Sequence, residues 1–380
     1  LNAIYLDYNA TTPVDPAVTE AMLPYFRECF GNPSSAHSYG RVARDAVERA
    51  RSQVAELLGA QSSEIMFTSG GTEASNQAIL GTVLGKVVDL VGSGAAHVIT
   101  SAVEHPATLQ PCEFLKRLGC RITILPVDRY GLVDQRMMRR ALSEGALLVS
   151  IIHANNEVGT LQSIREIADT AHEHGALVHA DAAQSVGKIP VDARHLGVDL
   201  LSVAGHKLYA PKGIGCLYVR QGIRLEPLVR GASQECGRRA GTENVPYIVG
   251  LGAACAKAKE LLPQAGQRLR ALRERLWSKL RESLGDRLLL NGHPELSLPN
   301  TLNVNFVGHI GSELLQRVPE VAASTGSACH DGRVTLSPVL QAMGVPAEIG
   351  RGAVRLSVGR YTTESDVDQA AEALIRGAKI

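Results

Sequence analysis

Apolar and polar positions along this chain follow two periods. Short apolar runs recur at residues 64–68, 97–101, 121–126, 147–153, 177–180, 200–204 and 215–219. Each is short and rich in valine, isoleucine and leucine, which reads as buried strand. Between most of them the period turns helical: in 163–174, Ile164, Ile167, Ala168 and Ala171 fall on one face. Strands alternating with helices predict an α/β architecture with a mainly parallel seven-stranded sheet covered on both faces. The pattern changes after residue 255. Residues 256–284 read as one long helix or two, with Leu269, Leu272, Leu276 and Leu280 on a single face. Strands at 300–306 and 354–358 and a helix at 365–376 follow. The expected organisation is a large domain over 15–255 and a smaller α+β domain from 1–14 and 256–380.

Composition narrows the class. A chain of 380 residues with 45% apolar and 20% charged positions is ordinary for a globular enzyme. A net charge of +1 gives no reason to expect direct nucleic-acid or membrane binding. No apolar run approaches the roughly 20 residues that span a bilayer. The opening residues Leu1 to Asp7 lack the charged and apolar blocks of a signal peptide. Seven scattered cysteines without a C-x-x-C argue for a reducing compartment and against a disulfide framework or a metal site. The expected location is the cytoplasm.

Three stretches carry candidate chemistry. In Ser202-Val203-Ala204-Gly205-His206-Lys207 a lysine ends an apolar strand. A partly desolvated amine loses its proton readily and can bind an aldehyde cofactor, above all pyridoxal phosphate. A strand-end lysine alone is more often an ordinary charge. Upstream, Leu177-Val178-His179-Ala180-Asp181 ends in an aspartate, the group that keeps a pyridine nitrogen protonated. The third stretch runs from the apolar Ile65-Met66-Phe67-Thr68 through Ser69-Gly70-Gly71-Thr72 to a helical run starting at Gln77. That is the layout of a phosphate site, or of a tight turn with a threonine N-cap. There is no Walker pattern and no G-x-G-x-x-G.

Further motifs occur in order along the chain. They are Tyr5-Leu6-Asp7-Tyr8-Asn9-Ala10-Thr11-Thr12-Pro13, Gly31-Asn32-Pro33-Ser34-Ser35, Glu104-His105 and His153-Ala154-Asn155-Asn156-Glu157-Val158-Gly159. Asp181-Ala182-Ala183-Gln184-Ser185, Arg239-Ala240-Gly241-Thr242-Glu243-Asn244, Ser324-Thr325-Gly326-Ser327-Ala328-Cys329 and Arg355-Leu356-Ser357-Val358-Gly359-Arg360 complete the set. With these the chain resembles, over nearly its full length, the NifS/IscS-type cysteine desulfurases of the class V aminotransferases.

The resemblance implies an aspartate-aminotransferase-like fold, the pyridoxal-phosphate fold type I. It implies that Lys207 binds the cofactor covalently, that Asp181 pairs with the pyridinium nitrogen, and that His105 stacks on the ring and assists proton transfer. Gln184 and Asn156 would bond the ring oxygen, with Asn156 also near the substrate. Gly71, Thr72 and His206 would hold the phosphate, and Thr242 would reach it from the other subunit of a homodimer. Arg355 would clamp the substrate carboxylate, for which a guanidinium fork is suited. Cys329 would be the nucleophile that takes sulfur from L-cysteine, leaving L-alanine and a persulfide for a protein acceptor. Relatives serve iron–sulfur cluster assembly, tRNA thiolation and DNA phosphorothioation, and the sequence does not choose among these acceptors. One departure is Ala204, where the family often has a second phosphate-binding hydroxyl.

Plainer roles stand beside these: His105 as a satisfied core histidine, Asn155 and Asn156 as turn formers, Thr242 as a helix N-cap, Arg360 as an ion-pair partner. Small and glycine-rich neighbours predict a mobile, exposed loop around Cys329. Selenocysteine lyase is the nearest alternative activity. An aminotransferase on the same fold, which needs no thiol, and a non-catalytic cofactor-binding scaffold are the others.

Overall fold

Seven strands form the central sheet, in the spatial order Ile65–Thr68, Gly215–Val219, Leu200–Ala204, Leu177–Asp181, Leu148–Ile152, His97–Ser101, Arg121–Leu125. Only Gly215–Val219 runs against its two neighbours; every other pairing is parallel. This computed structural model describes residues 3–89, 96–325, 327–330 and 333–379, with backbone alone at 87–89, 327–330 and 333–335.

Alternation along the strands splits the apolar residues between two faces. Ile65, Phe67, Ile99, Val149, Ile151, Leu201 and Val203 point to one core, closed by the helices Ser38–Leu58, Gln135–Ser143 and Ile164–Glu173. Met66, Val98, Leu148, Leu200 and Leu217 point to the other, closed by Gly71–Asp89 and Pro106–Arg117. Burying both faces explains why the strands read as continuous apolar runs. Each fully buried leucine, valine or isoleucine side chain contributes about 1.5–3 kcal/mol to that packing.

A separate core forms around the sheet Ser324–Thr325, Ala353–Ser357, Thr301–Phe306, Leu288–Asn291. Leu6 joins it from the N-terminal segment, with Leu269, Leu272, Leu276, Leu280 and Leu284 from a helix and Val367, Ala371 and Leu374 from another. The Ile4–Tyr5 strand pairs with Val321–Ala322, which brings both chain ends into this unit.

Three elements differ from the sequence expectation. The long helix is a single element, Val245–Leu284, and it crosses residue 255. Asn244 caps it and a proline occupies its first turn, a start signal masked by the glycines that follow. Gly252 is needed there, because a Cβ would lie 2.6 Å from the Ala50 Cα of the neighbouring helix. The helix expected from Gln77 begins at Gly71, so Thr72 sits inside its first turn rather than before it. Around Cys329 the backbone forms a hairpin, Ser327–His330 with Arg333–Leu336, in place of an irregular loop.

Candidate active site

The carboxyl ends of the central strands open onto a cavity of about 410 Å³, where ligands bind in sheets of this kind. Asp181 ends its strand there and is 5% exposed. One carboxylate oxygen, Oδ1, accepts from Ala183 N at 3.0 Å. Burial pushes this carboxyl above its ordinary value, against the pull of the Ala183 N–H, His105 and Lys207. Two residues back along the strand, His179 bridges Ser150 Oγ and Ser202 Oγ, both at 2.8 Å, tying three central strands together beneath the site.

Lys207 lies in the short turn that follows the Leu200–Ala204 strand. Its Nζ donates to the carbonyls of Asn9 and of Ala10, the latter at 2.7 Å. Burial, with the cation of Arg355, lowers the amine to about 8 despite Asp7 and Asp181. Lining the same cavity, His105 caps the Pro106–Arg117 helix: its Nδ1 accepts from Ala107 N at 3.0 Å. The neutral ring therefore carries its proton on Nε2, and burial keeps it below the ordinary histidine value. The preceding Glu104 is buried, with Oε1 accepting from Ser101 Oγ at 2.5 Å and Ile152 N at 3.0 Å and Oε2 unpartnered. Burial pushes it up to about 8, which keeps it protonated at neutral pH.

One end of the cavity is a cradle. Gly71, Thr72, Ala204 and His206 line it. The first N–H groups of the Gly71–Asp89 helix have no partner within the helix. A Cβ at Gly71 would sit 3.0 Å from the Ala204 Cβ, so glycine permits the close approach of turn and strand. His206 Nδ1 lies 3.2 Å from Thr11 Oγ1, and burial lowers the ring to about 4.

The opposite end is built by the two chain ends. Arg355 binds Asp7 Oδ1 through Nη2 at 2.7 Å and the Asn156 carbonyl through Nη1 at 3.0 Å. Its Nε is buried without a partner. Asp7 Oδ1 also accepts from Ser324 Oγ at 2.9 Å, on the strand that leads toward Cys329.

Ten of the eleven residues expected at the site have described side chains, and nine of those line this one cavity: Lys207, Asp181, His105, Gln184, Asn156, Gly71, Thr72, His206 and Arg355. Thr242 does not. It lies in a separate recess of about 200 Å³ with Ser69 and Arg239, and Asn244 rather than Thr242 caps the next helix. The eleventh, Cys329, has a described backbone opposite Val334, while its side chain lies outside the described residues.

The class-V aminotransferase model matches residues 4–370. The chain is 49% identical over 373 residues to a cysteine desulfurase of Gluconacetobacter diazotrophicus, covering 97% of this chain and 92% of that one. It is 45% identical over 375 residues to the cysteine desulfurase IscS of Dictyoglomus turgidum, covering 98% and 94%. A solved NifS-like protein superposes with a TM-score of 0.91 at 39% identity, covering 98% of each chain. This chain belongs to the class-V aminotransferase family. Within that family its relatives are the NifS/IscS-type cysteine desulfurases, which depend on pyridoxal phosphate, as this enzyme does.

The cavity fits this family's cofactor on its own terms. Among the described residues Asp181 is a buried carboxylate with no cation at ion-pair distance, which suits it to pair with a pyridinium N–H. Lys207 is depressed toward a neutral amine, and the helix start at Gly71 offers N–H groups to a phosphate.

Sequence reading missed a second ring of residues in this family member. Asn9 lines the cavity and bonds to Gln184, Lys188, Lys207, Asn300 and Thr301. The Asp7-to-Pro13 motif was the signal, although it carried no assigned role. Asn155, by contrast, is a turn former, its Oδ1 accepting from Glu157 N and Val158 N at 2.9 Å. Arg360 pairs with Asp15, as its plainer reading held.

Proposed function

We propose that this enzyme removes sulfur from L-cysteine, releases L-alanine and carries the sulfur as a persulfide on Cys329. The observation that supports it most is the meeting of Lys207, Asp181, His105 and Arg355 around one cavity. Bound there, pyridoxal phosphate supplies an electron-withdrawing ring that weakens the bonds at the substrate's α-carbon.

The chain's own residues do the rest. Lys207 would hold the cofactor covalently and would move the α-proton on Nζ. Asp181 keeps the pyridine nitrogen protonated. His105 would stack on the cofactor, and with Nδ1 committed to the Ala107 N–H it would exchange protons through Nε2. Gln184 and Asn156 bond the ring oxygen, and Gly71, Thr72 and His206 hold the phosphate. Arg355 takes the substrate carboxylate on its remaining N–H groups. The Cys329 thiolate attacks the substrate sulfur. An S–S bond forms, the Cβ–S bond breaks with its electron pair left on carbon, and protonation at that carbon gives alanine.

The same reading divides the chain into two domains, 15–255 and 1–14 with 256–380. It makes the enzyme a homodimer whose Thr242 serves the neighbouring subunit, which its place outside its own cavity supports. It also makes the sulfur acceptor a separate protein, of the iron–sulfur scaffold or sulfur-modification kind. A cytoplasmic location is supported by the free cysteines, of which Cys112, Cys216 and Cys255 are buried with their thiols pushed up, Cys112 to about 12. No described helix is long and apolar enough to cross a membrane.

Alanine release from cysteine and from selenocysteine tests the proposal. Wild type should act on cysteine, and Cys329→Ser should keep the bound cofactor's absorbance while losing alanine release. Full activity in that variant would point to a thiol-independent aminotransferase; activity confined to selenocysteine would point to a lyase.

A further inference from the structure

We propose that Lys188 is a positioning residue of this site, which locks the Gln184 amide so that Gln184 offers an N–H to the cofactor's ring oxygen. The inference rests on the function proposed above, since it concerns the same cofactor cavity.

Lys188 is 7% exposed and stands four residues beyond Gln184. Its Nζ donates to Gln184 Oε1 at 2.7 Å and to Asn9 Oδ1 at 3.1 Å. Both acceptors are neutral. Burial and the cations of Lys207 and Arg355 hold the amine well below ordinary lysine, with no carboxylate opposing them. A buried amine that meets only neutral acceptors costs stability where an apolar residue of similar length would fit. Its presence calls for a role outside stability.

The hydrogen bonds supply that role. Gln184 is 3% exposed, so its amide cannot turn to bulk solvent. Gln184 Nε2 donates to the Asn9 carbonyl at 2.9 Å, and a carbonyl can only accept. A lysine amine donates to Oε1 on the other side. Both contacts demand the same flip of the amide, and the second Nε2 hydrogen is left for the cavity that Gln184 lines. Gln184 is thereby a donor toward the ring oxygen, which suits an oxygen that carries negative charge. Without the amine, Oε1 is buried with no donor. Its nearest alternative is water in the cavity, which turns the amide oxygen to where the N–H belongs.

Lys188 also borders a second cavity, of about 320 Å³, with Leu208, Ala258 and Leu261. A methionine side chain has apolar neighbours there, so Lys188→Met is expected to fold. The test titrates apoenzyme with pyridoxal phosphate for wild type, K188M, Q184A and the double variant, and follows thermal unfolding of each apo form. We expect K188M to bind the cofactor about tenfold more weakly, the effect of one buried hydrogen bond, with Tm unchanged or raised. The double variant should be no weaker than Q184A alone. Lys188→Gln, which keeps a donor of shorter reach, should fall between wild type and K188M. Unchanged affinity in either folded variant overturns the proposal, as do strictly additive losses in the double variant. A lowered Tm with unchanged affinity would make Lys188 merely structural. If wild type itself fails to bind pyridoxal phosphate, the proposed function falls instead.

Discussion

The cavity has two unlike walls. One is made by strand ends and turns of the central sheet and carries Asp181, Lys207 and His105. The other is made by the two ends of the chain and carries Asn9 and Arg355, with Asp7 behind them. On the sheet wall the charged groups lack counter-ions at ion-pair distance among the described residues: Asp181 bonds only the Ala183 N–H, and burial shifts Lys207 and His105 toward neutrality. On the other wall nearly every group is already bonded. Arg355 holds Asp7 and the Asn156 carbonyl, Asp7 also holds Ser324, and Asn9 bonds to both lysines. The sheet wall leaves a buried charge for a ligand to balance. The chain-end wall is finished, and a substrate must share its bonds.

Variants on each wall should therefore fail differently. Lys207→Ala should cost the most, about a thousandfold or more in alanine release, the scale of a lost proton-transfer group, together with loss of covalently held cofactor. Asp181→Asn should lower the rate about a hundredfold, a smaller share of the charge stabilisation such sites supply, while apo Tm holds or rises as a buried carboxylate without a counter-ion is removed. A fall in Tm would show that Asp181 supports the fold as well.

On the other wall, Asp7→Asn should raise the KM for cysteine about fivefold with kcat within about twofold, as a loosened fork loses ground-state binding. The reverse split in steady-state kinetics would erase the contrast between the walls. The smallest effect concerns Glu104. Its carboxyl is raised from the ordinary 4.5 to about 8, so between those values the folded chain keeps a proton that the unfolded chain has released. Its contribution to stability therefore falls as pH rises through that window. Glu104→Gln, which mimics the protonated form, should flatten that decline in denaturant melts from pH 5 to 8. An unchanged slope would assign the decline to other groups.

The sheet wall was legible from sequence; of the chain-end wall only Arg355 was, and that through the resemblance. Lys207, Asp181 and Thr72 follow strand runs, so local periodicity places them at strand ends. Asn9 and Lys188 stand 179 positions apart and meet only in three dimensions; no local pattern announces a buried lysine bonded to two amides. The helix start at Val245 was hidden because Gly250 and Gly252, poor helix residues in isolation, serve close packing there. The Cys329 hairpin was read as loop since its glycines and serines suit either conformation. His105 was anticipated as a ring-stacking group, but its service as a helix cap, which fixes its tautomer, depends on Pro106 starting a helix one residue later.

The helix Val245–Leu284 has a consequence for the molecule as a whole. Its first half, through Ala258, is buried in the sheet's core, and its second half, from Leu269, in the smaller one, with Pro263 between them. At 1.5 Å per residue it is a rod of about 60 Å. Such a shared axle ties the melting of one unit to that of the other. In calorimetry the two should leave in a single peak, and an enzyme split at residue 255 should yield two fragments that each lack part of their own interior.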